Sequence, residues 1–192
     1  MKNITCTLLL LTFAGTSAWA DWALDGEQSS LSFVSTKAMN VAEAHKFTRL
    51  SGGVDSNGQA SISISLASVD TGIELRDERM REMLFKTEQF ASAEVTAKID
   101  AAMFADLKAG QSVDTTIEGV LELHGEMRPL VMDVVIARSG PSRMLVMSRK
   151  PIVINAPEFN LAEGVEALRE IAGLPSISLA VPVSFILAFE QE

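Results

Sequence analysis

Ile62, Ile64 and Leu66 alternate with Ser61, Ser63 and Ser65, giving a strand with one apolar and one polar face. The same period of two runs through Leu31 and Phe33 against Ser30 and Ser32, with Trp22 and Leu24 ahead of them. It returns in Val95, Ala97 and Ile99, and in Ile117, Gly119, Leu121 and Leu123, where Glu118 and Glu122 take the far side. Leu130, Met132, Val134 and Ile136 repeat it. Leu145 with Met147 and Ile152 with Ile154 follow, and Ile177 to Leu187 form a long final run with few charges. Asn57-Gly58 is a hairpin signal, and Gly125-Glu126 and Gly140-Pro141 mark further turns. Residues 38–44 read as a loop, and Phe47, Leu50 and Val54 as one strand that Gly52-Gly53 interrupts with a bulge or bend. Two-faced strands belong to antiparallel sheets, not to doubly wound parallel sheets buried on both faces.

The period changes twice between Leu66 and Asp100. A short charged helix stands between two alternating runs, with Met80, Met83 and Leu84 spaced to share a face. Thr71, with Glu74 three residues on, and Asp77 are rival N-caps for it. Asp77 and Arg81 stand at the spacing of a helical ion pair. A second helix is expected over 160–172: Leu161, Val165, Leu168 and Ile171 line one side, Asn160 and Glu163 cap it, and Gly173 and Pro175 end it. A long apolar strand near a terminus is hazardous as an open edge, so Ile177–Leu187 is expected to pair on both sides. The pattern predicts about eight to ten strands and two short helices. By itself it leaves barrel and sandwich open.

Ser68-Val69-Asp70-Thr71-Gly72, Arg76-Asp77, Met80-Arg81, Leu84-Phe85 and Phe90, with Glu118 to Gly125, resemble the signature of the YceI-like family. The likeness extends over nearly all of the chain beyond residue 20. It implies an all-β fold: an antiparallel lipocalin-like β-barrel of about eight strands that holds a long polyisoprenoid or isoprenoid quinone in its interior. A fatty acid or fatty amide suits the same interior, and a ligand-free, stress-related interaction module with a filled core shares the fold. The family also implies a periplasmic setting and a membrane cytochrome-b-type partner, with the oligomeric state left open, a dimer included. The segment from Ser148 to Asn160, interrupted by Pro151 and Pro157, departs from the family's late strands and implies a differently shaped mouth.

Residues 1–20 read as a cleaved signal peptide: Lys2, an apolar core from Leu8 to Phe13, and Ala18-Trp19-Ala20 before Asp21. That leaves residues 21–192 as one lipid-binding barrel domain. Sixteen Lys and Arg stand against 25 Asp and Glu, a net charge of −9 that becomes −10 once Lys2 is removed. Such a balance argues against nucleic acid as a partner. The single cysteine, Cys6, falls within the leader, so the barrel is expected to hold without disulfides.

Catalytic signals are weak. His45 and His124 have no partner at metal-ligand spacing, and no nucleophile elbow, P-loop or dinucleotide glycine pattern occurs. The expectation is a binding protein without cofactor or metal; an enzyme acting on bound lipid would instead need polar groups converging at the cavity mouth. No M-x-x-M-x-x-M cluster supports copper binding, and unbranched Met80 and Met83 suit a lid over a flexible chain. Arg76 or Arg81 could meet a polar head at the mouth. The apolar faces nominate Phe33, Phe47, Ile62, Ile64, Met80, Met83, Leu84, Phe85, Phe90, Ile117, Leu121, Met132, Val134, Val181 and Phe185 as the lining.

Overall fold

In the computed structural model, which describes residues 22–100 and 107–192, eleven antiparallel strands form one sheet that closes on itself. The expected leader (1–20) and Met103 lie outside the described residues. The strands are β1 (Trp22–Lys37), β2 (Val41–Phe47), β3 (Leu50–Val54), β4 (Gln59–Ser65), β5 (Val69–Asp70) and β6 (Ser92–Lys98). After them come β7 (Ser112–Leu123), β8 (Glu126–Arg138), β9 (Arg143–Ser148), β10 (Ile152–Asn155) and β11 (Ala180–Gln191). Closure comes from β1 pairing with β11, from Trp22 opposite Gln191 to Phe33 opposite Val183. Eight staves result, because β2 and β3 share one side of β1, β4 and β5 share the far side of β2 and β3, and β9 and β10 share one side of β11. The long apolar β11 is thus paired along both edges.

Local chemistry explains each irregularity. The bulge lies in β1, between Asp25 and Ser30. There the Asp25 carboxylate accepts the Glu27 and Gln28 N–H groups, and Ser29 Oγ takes the Ala188 N–H in place of a ladder bond. Gly52-Gly53, expected to interrupt a strand, pairs in regular register with Ser61 and Ile62. Gly52 serves close approach instead, since a Cβ there would stand 2.0 Å from the Ser61 carbonyl oxygen. The Asn57-Gly58 turn forms as expected, with the Asp55 carboxylate accepting from Asn57 N and Gln59 N. His124 and Gly125 both adopt positive φ (52° and 80°), the pair that a two-residue hairpin between β7 and β8 requires.

Four expectations are corrected. Residues 38–44 are not a loop: only 38–40 turn, and β2 begins at Val41, drawn into the sheet by β1 pairing despite its small, polar residues. The mid-chain helix is one α segment, α1 (Glu74–Arg79), continued by a wider π-helical turn, Met80–Phe85. Ile73 is its N-cap; Asp77, buried, reaches back to accept from Thr71 N (2.9 Å) and Thr71 Oγ1, and Arg81 pairs with Glu74 instead. The second helix, α2 (Ala162–Ile171), starts after Leu161, while Asn160 takes a left-handed conformation and donates to Glu126. Among the described residues no helix is long and apolar enough to cross a membrane.

Both helical segments lie across one end of the barrel. Gly164 of α2 sits against the π-helical turn so closely that a Cβ would be 2.8 Å from Leu84 Cα and 2.9 Å from Met83 O. The two segments therefore form one cover, joined backbone to backbone.

Candidate functional site

Alternating strands with a dry inner face need something inside them, and here side chains only partly fill the space. Two adjoining hollows lie inside the barrel, with room of about 90 and 170 Å³. Leu31, Ile64, Val95, Met132 and Phe185 line both and form the waist where they adjoin; the two hollows together are called the tunnel. Leu31, Val95, Ile117 and Phe185 point inward yet are only half-buried, as expected of walls around a hollow. The layers of Val134, Ile136 and Met144, by contrast, are fully buried.

The inner half is walled by Trp22, Val54, Ile62, Ile99, Ile117, Val134, Leu187 and Phe189. Beneath the helical cover, Phe33, Phe47, Leu84, Phe85, Leu121, Leu161, Val165 and Val181 wall the outer half. Along β11 the wall extends from Val181 to Phe189, about 26 Å at ~3.3 Å per residue. With strands tilted by about 40°, that is roughly 20 Å along the barrel axis. Apart from the indole N–H of Trp22, every lining side chain named here is apolar, so the tunnel offers little to a buried polar group.

A vestibule of about 350 Å³ adjoins the outer half and shares Phe33, Leu84, Val165 and Val181 with it. Seven of its nineteen wall residues are polar or charged. Glu43 bridges Lys37 (2.9 Å) and Arg76 (2.7 Å), and the Lys37 hydrogen bond, then Arg76, hold its carboxyl below the usual carboxylate range against the opposing effect of burial. Arg76 also donates to Thr71 Oγ1 and Thr71 O, which anchors it to the start of α1. Buried His45 shares a 2.9 Å hydrogen bond between Nε2 and Ser35 Oγ. Burial, and next the Arg76 charge, push its imidazole below the ordinary value, so it is neutral at neutral pH. From His45 an aromatic row leads inward: Phe33 at 5.3 Å, Phe47 a further 5.4 Å, then Phe85 at 5.7 Å. Polar groups therefore do converge at the mouth. The Ser35–His45 pair is no catalytic triad, because His45 Nδ1 finds no carboxylate to orient it. Among the described residues no three acidic or histidine side chains group to hold a metal.

Of the nominated lining, twelve residues meet in the tunnel: Phe33, Phe47, Ile62, Ile64, Leu84, Phe85, Ile117, Leu121, Met132, Val134, Val181 and Phe185. Met80 is buried at the vestibule wall instead. Met83 is half-buried, its backbone carbonyl facing α2, because the π-helical turn rotates it away from the face that 3.6-residue spacing assigns. Phe90 lies outside the tunnel, its ring 4.2 Å from that of His124 beneath the β7–β8 turn. Sequence reasoning passed over Leu31, Val95, Leu187 and Phe189, although each lies two residues from a nominated or alternating neighbour. It also passed over Leu161 and Val165, which were assigned to a helix without a stated target.

The model of the YceI-like domain matches residues 22–189. The chain belongs to the YceI-like family. Among solved structures, a polyisoprenoid binding domain from Saccharophagus degradans, implicated in plant cell wall breakdown, is 38% identical, with a TM-score of 0.88 over 89% of this chain and 98% of that one. BcnA of Burkholderia cenocepacia, 21% identical, has a TM-score of 0.65 over 86% of this chain and 98% of its own. A Campylobacter jejuni YceI protein, 17% identical, reaches 0.54 over 77% and 85%. The last two share the fold alone. No curated protein matches the sequence.

Proposed function

We propose that this YceI-like protein is a carrier that holds the chain of a long polyisoprenoid in its barrel, without catalysing a reaction on it. The observation that carries this reading is the pair of adjoining apolar hollows under the α2 and π-turn cover, inside a barrel closed by β1–β11 pairing. Burial of each methylene contributes about 0.8 kcal/mol, so a chain of several isoprene units is held tightly with no special polar contact in the tunnel. The polyisoprenoid class is supported by the 38% identical Saccharophagus degradans protein, a polyisoprenoid binding domain. A filled-core interaction module is disfavoured by the hollow at the waist. A periplasmic location follows from the reading of residues 1–20 as a leader, and a membrane cytochrome-b-type partner from family likeness only.

Native mass spectrometry of protein exported to the periplasm and purified without detergent tests the proposal. Recovery with a bound isoprenoid chain is expected. Repeated recovery of ligand-free protein that also rejects added isoprenoids would count against it.

A further inference from the structure

We infer that the vestibule is a subsite for an anionic head, a carboxylate or a phosphate, on the chain held in the tunnel; this rests on the carrier reading above. The vestibule wall carries four charged side chains, the cations Lys37, Arg76 and Arg79 against the single carboxylate of Glu43. An excess of cations at this opening of a chain with net charge −9 runs against its overall balance. The carboxylates on α1 do not make up the difference: Glu74 pairs with Arg81, Asp77 is turned to Thr71, and Glu78 is exposed and lines no part of the vestibule.

Arg79 decides the matter. It is half-buried at the vestibule wall, and among the described residues it makes no hydrogen bond or ion pair. A guanidinium taken partly out of water without a counter-charge loses hydration that an anion would restore, and its planar fork matches carboxylate or phosphate oxygens. His45, another residue of the vestibule wall, is buried with Nδ1 unpartnered. Glu43 holds Lys37 and Arg76 in place, and their remaining N–H groups are free to donate further. With Phe33 and Val181 shared between vestibule and tunnel, a head seated at Arg79 leaves its chain at the tunnel entrance.

The test pairs ligands that differ only in the head: dodecanoate against dodecanol, and farnesyl phosphate against farnesol, titrated into the delipidated full-length mature protein by calorimetry. Each anion is expected to bind at least about tenfold tighter than its alcohol, equal to about 1.4 kcal/mol. Arg79→Gln is expected to bring both ratios close to one, and Arg79→Lys to keep most of the preference. The larger of the two wild-type ratios distinguishes a carboxylate head from a phosphate head. Equal binding of anion and alcohol by the wild type, or Arg79→Gln weakening both alike, would overturn the inference while leaving the carrier reading standing. Binding of neither kind would overturn both.

Discussion

Val95 stands at the waist of the tunnel, on β6, where it lines both halves with Leu31, Ile64, Met132 and Phe185. Val95→Trp places a bicyclic ring across that waist and closes the inner half. On β11 the part of the wall lost runs from Phe185 to Phe189, about 13 Å along the strand and roughly 10 Å along the axis. At about 1.5 Å per carbon–carbon bond, that length holds at least six chain carbons. With ~0.8 kcal/mol per buried methylene, their exclusion removes up to about 5 kcal/mol, more than a thousandfold in affinity for a long chain. A short chain that needs only the outer half should lose little. The assay is a chain-length series of prenyl alcohols, measured by displacement of a fluorescent fatty probe. The wild type should bind each longer member more tightly, and the variant should reach a plateau. Its thermal midpoint should stay near that of the wild type, because the ring enters a hollow, whereas overpacking a filled core costs about 1–3 kcal/mol. An unchanged dependence on chain length in a folded variant would refute the tunnel as the chain's location.

Other perturbations address the cover and the mouth. Gly164→Val forces α2 away from Leu84 Cα and Met83 O, so stability should fall by about 1–3 kcal/mol in urea titrations while bound chain exchanges faster by stopped flow. Asp77→Ala leaves the Thr71 N–H without its acceptor and frees the start of α1, a loss of about 1.5–3 kcal/mol measurable by chemical denaturation. Burial holds His45 and His124 below the ordinary imidazole value, so as pH falls through about 6.5 the unfolded chain takes up more protons than the native one. Stability should therefore decline below about pH 6.5 and level off beneath the native-state values, and a His45→Gln/His124→Gln double variant should show a flatter profile in the same denaturation series.

The division of each strand into an apolar and a polar face was legible because its periodicity is local, but which face turns inward was not; the structure buries Ile62, Ile64 and Leu66. The Asn57-Gly58 turn was legible for the same reason, through backbone chemistry confined to a few residues. What escaped depended on partners distant in sequence. β2 is a strand because β1 pairs with it, and nothing in Val41 to Ala44 announces that. The bulge in β1 depends on Ser29 meeting Ala188, which no local pattern reveals. Met83 was misplaced because spacing arguments assume an α-helix and the turn widens to a π-helix there. Gly52-Gly53 carried a true signal with the wrong meaning, close strand approach in place of a bulge. The vestibule was the least legible feature. It unites Lys37 and Glu43 from one hairpin, Arg76 and Arg79 from α1, and apolar residues from α2, segments brought together only by barrel closure.

A crystal structure with a chain brominated near its far end locates the ligand most directly, because the bromine's anomalous signal needs no interpretation of weak density. The account predicts a bromine peak between the waist residues Leu31, Val95 and Phe185 and the inner wall at Leu187 and Phe189. A peak on the outer face of the sheet, or an interior filled by inward-rotated Phe and Met side chains with the chain left outside, would contradict it.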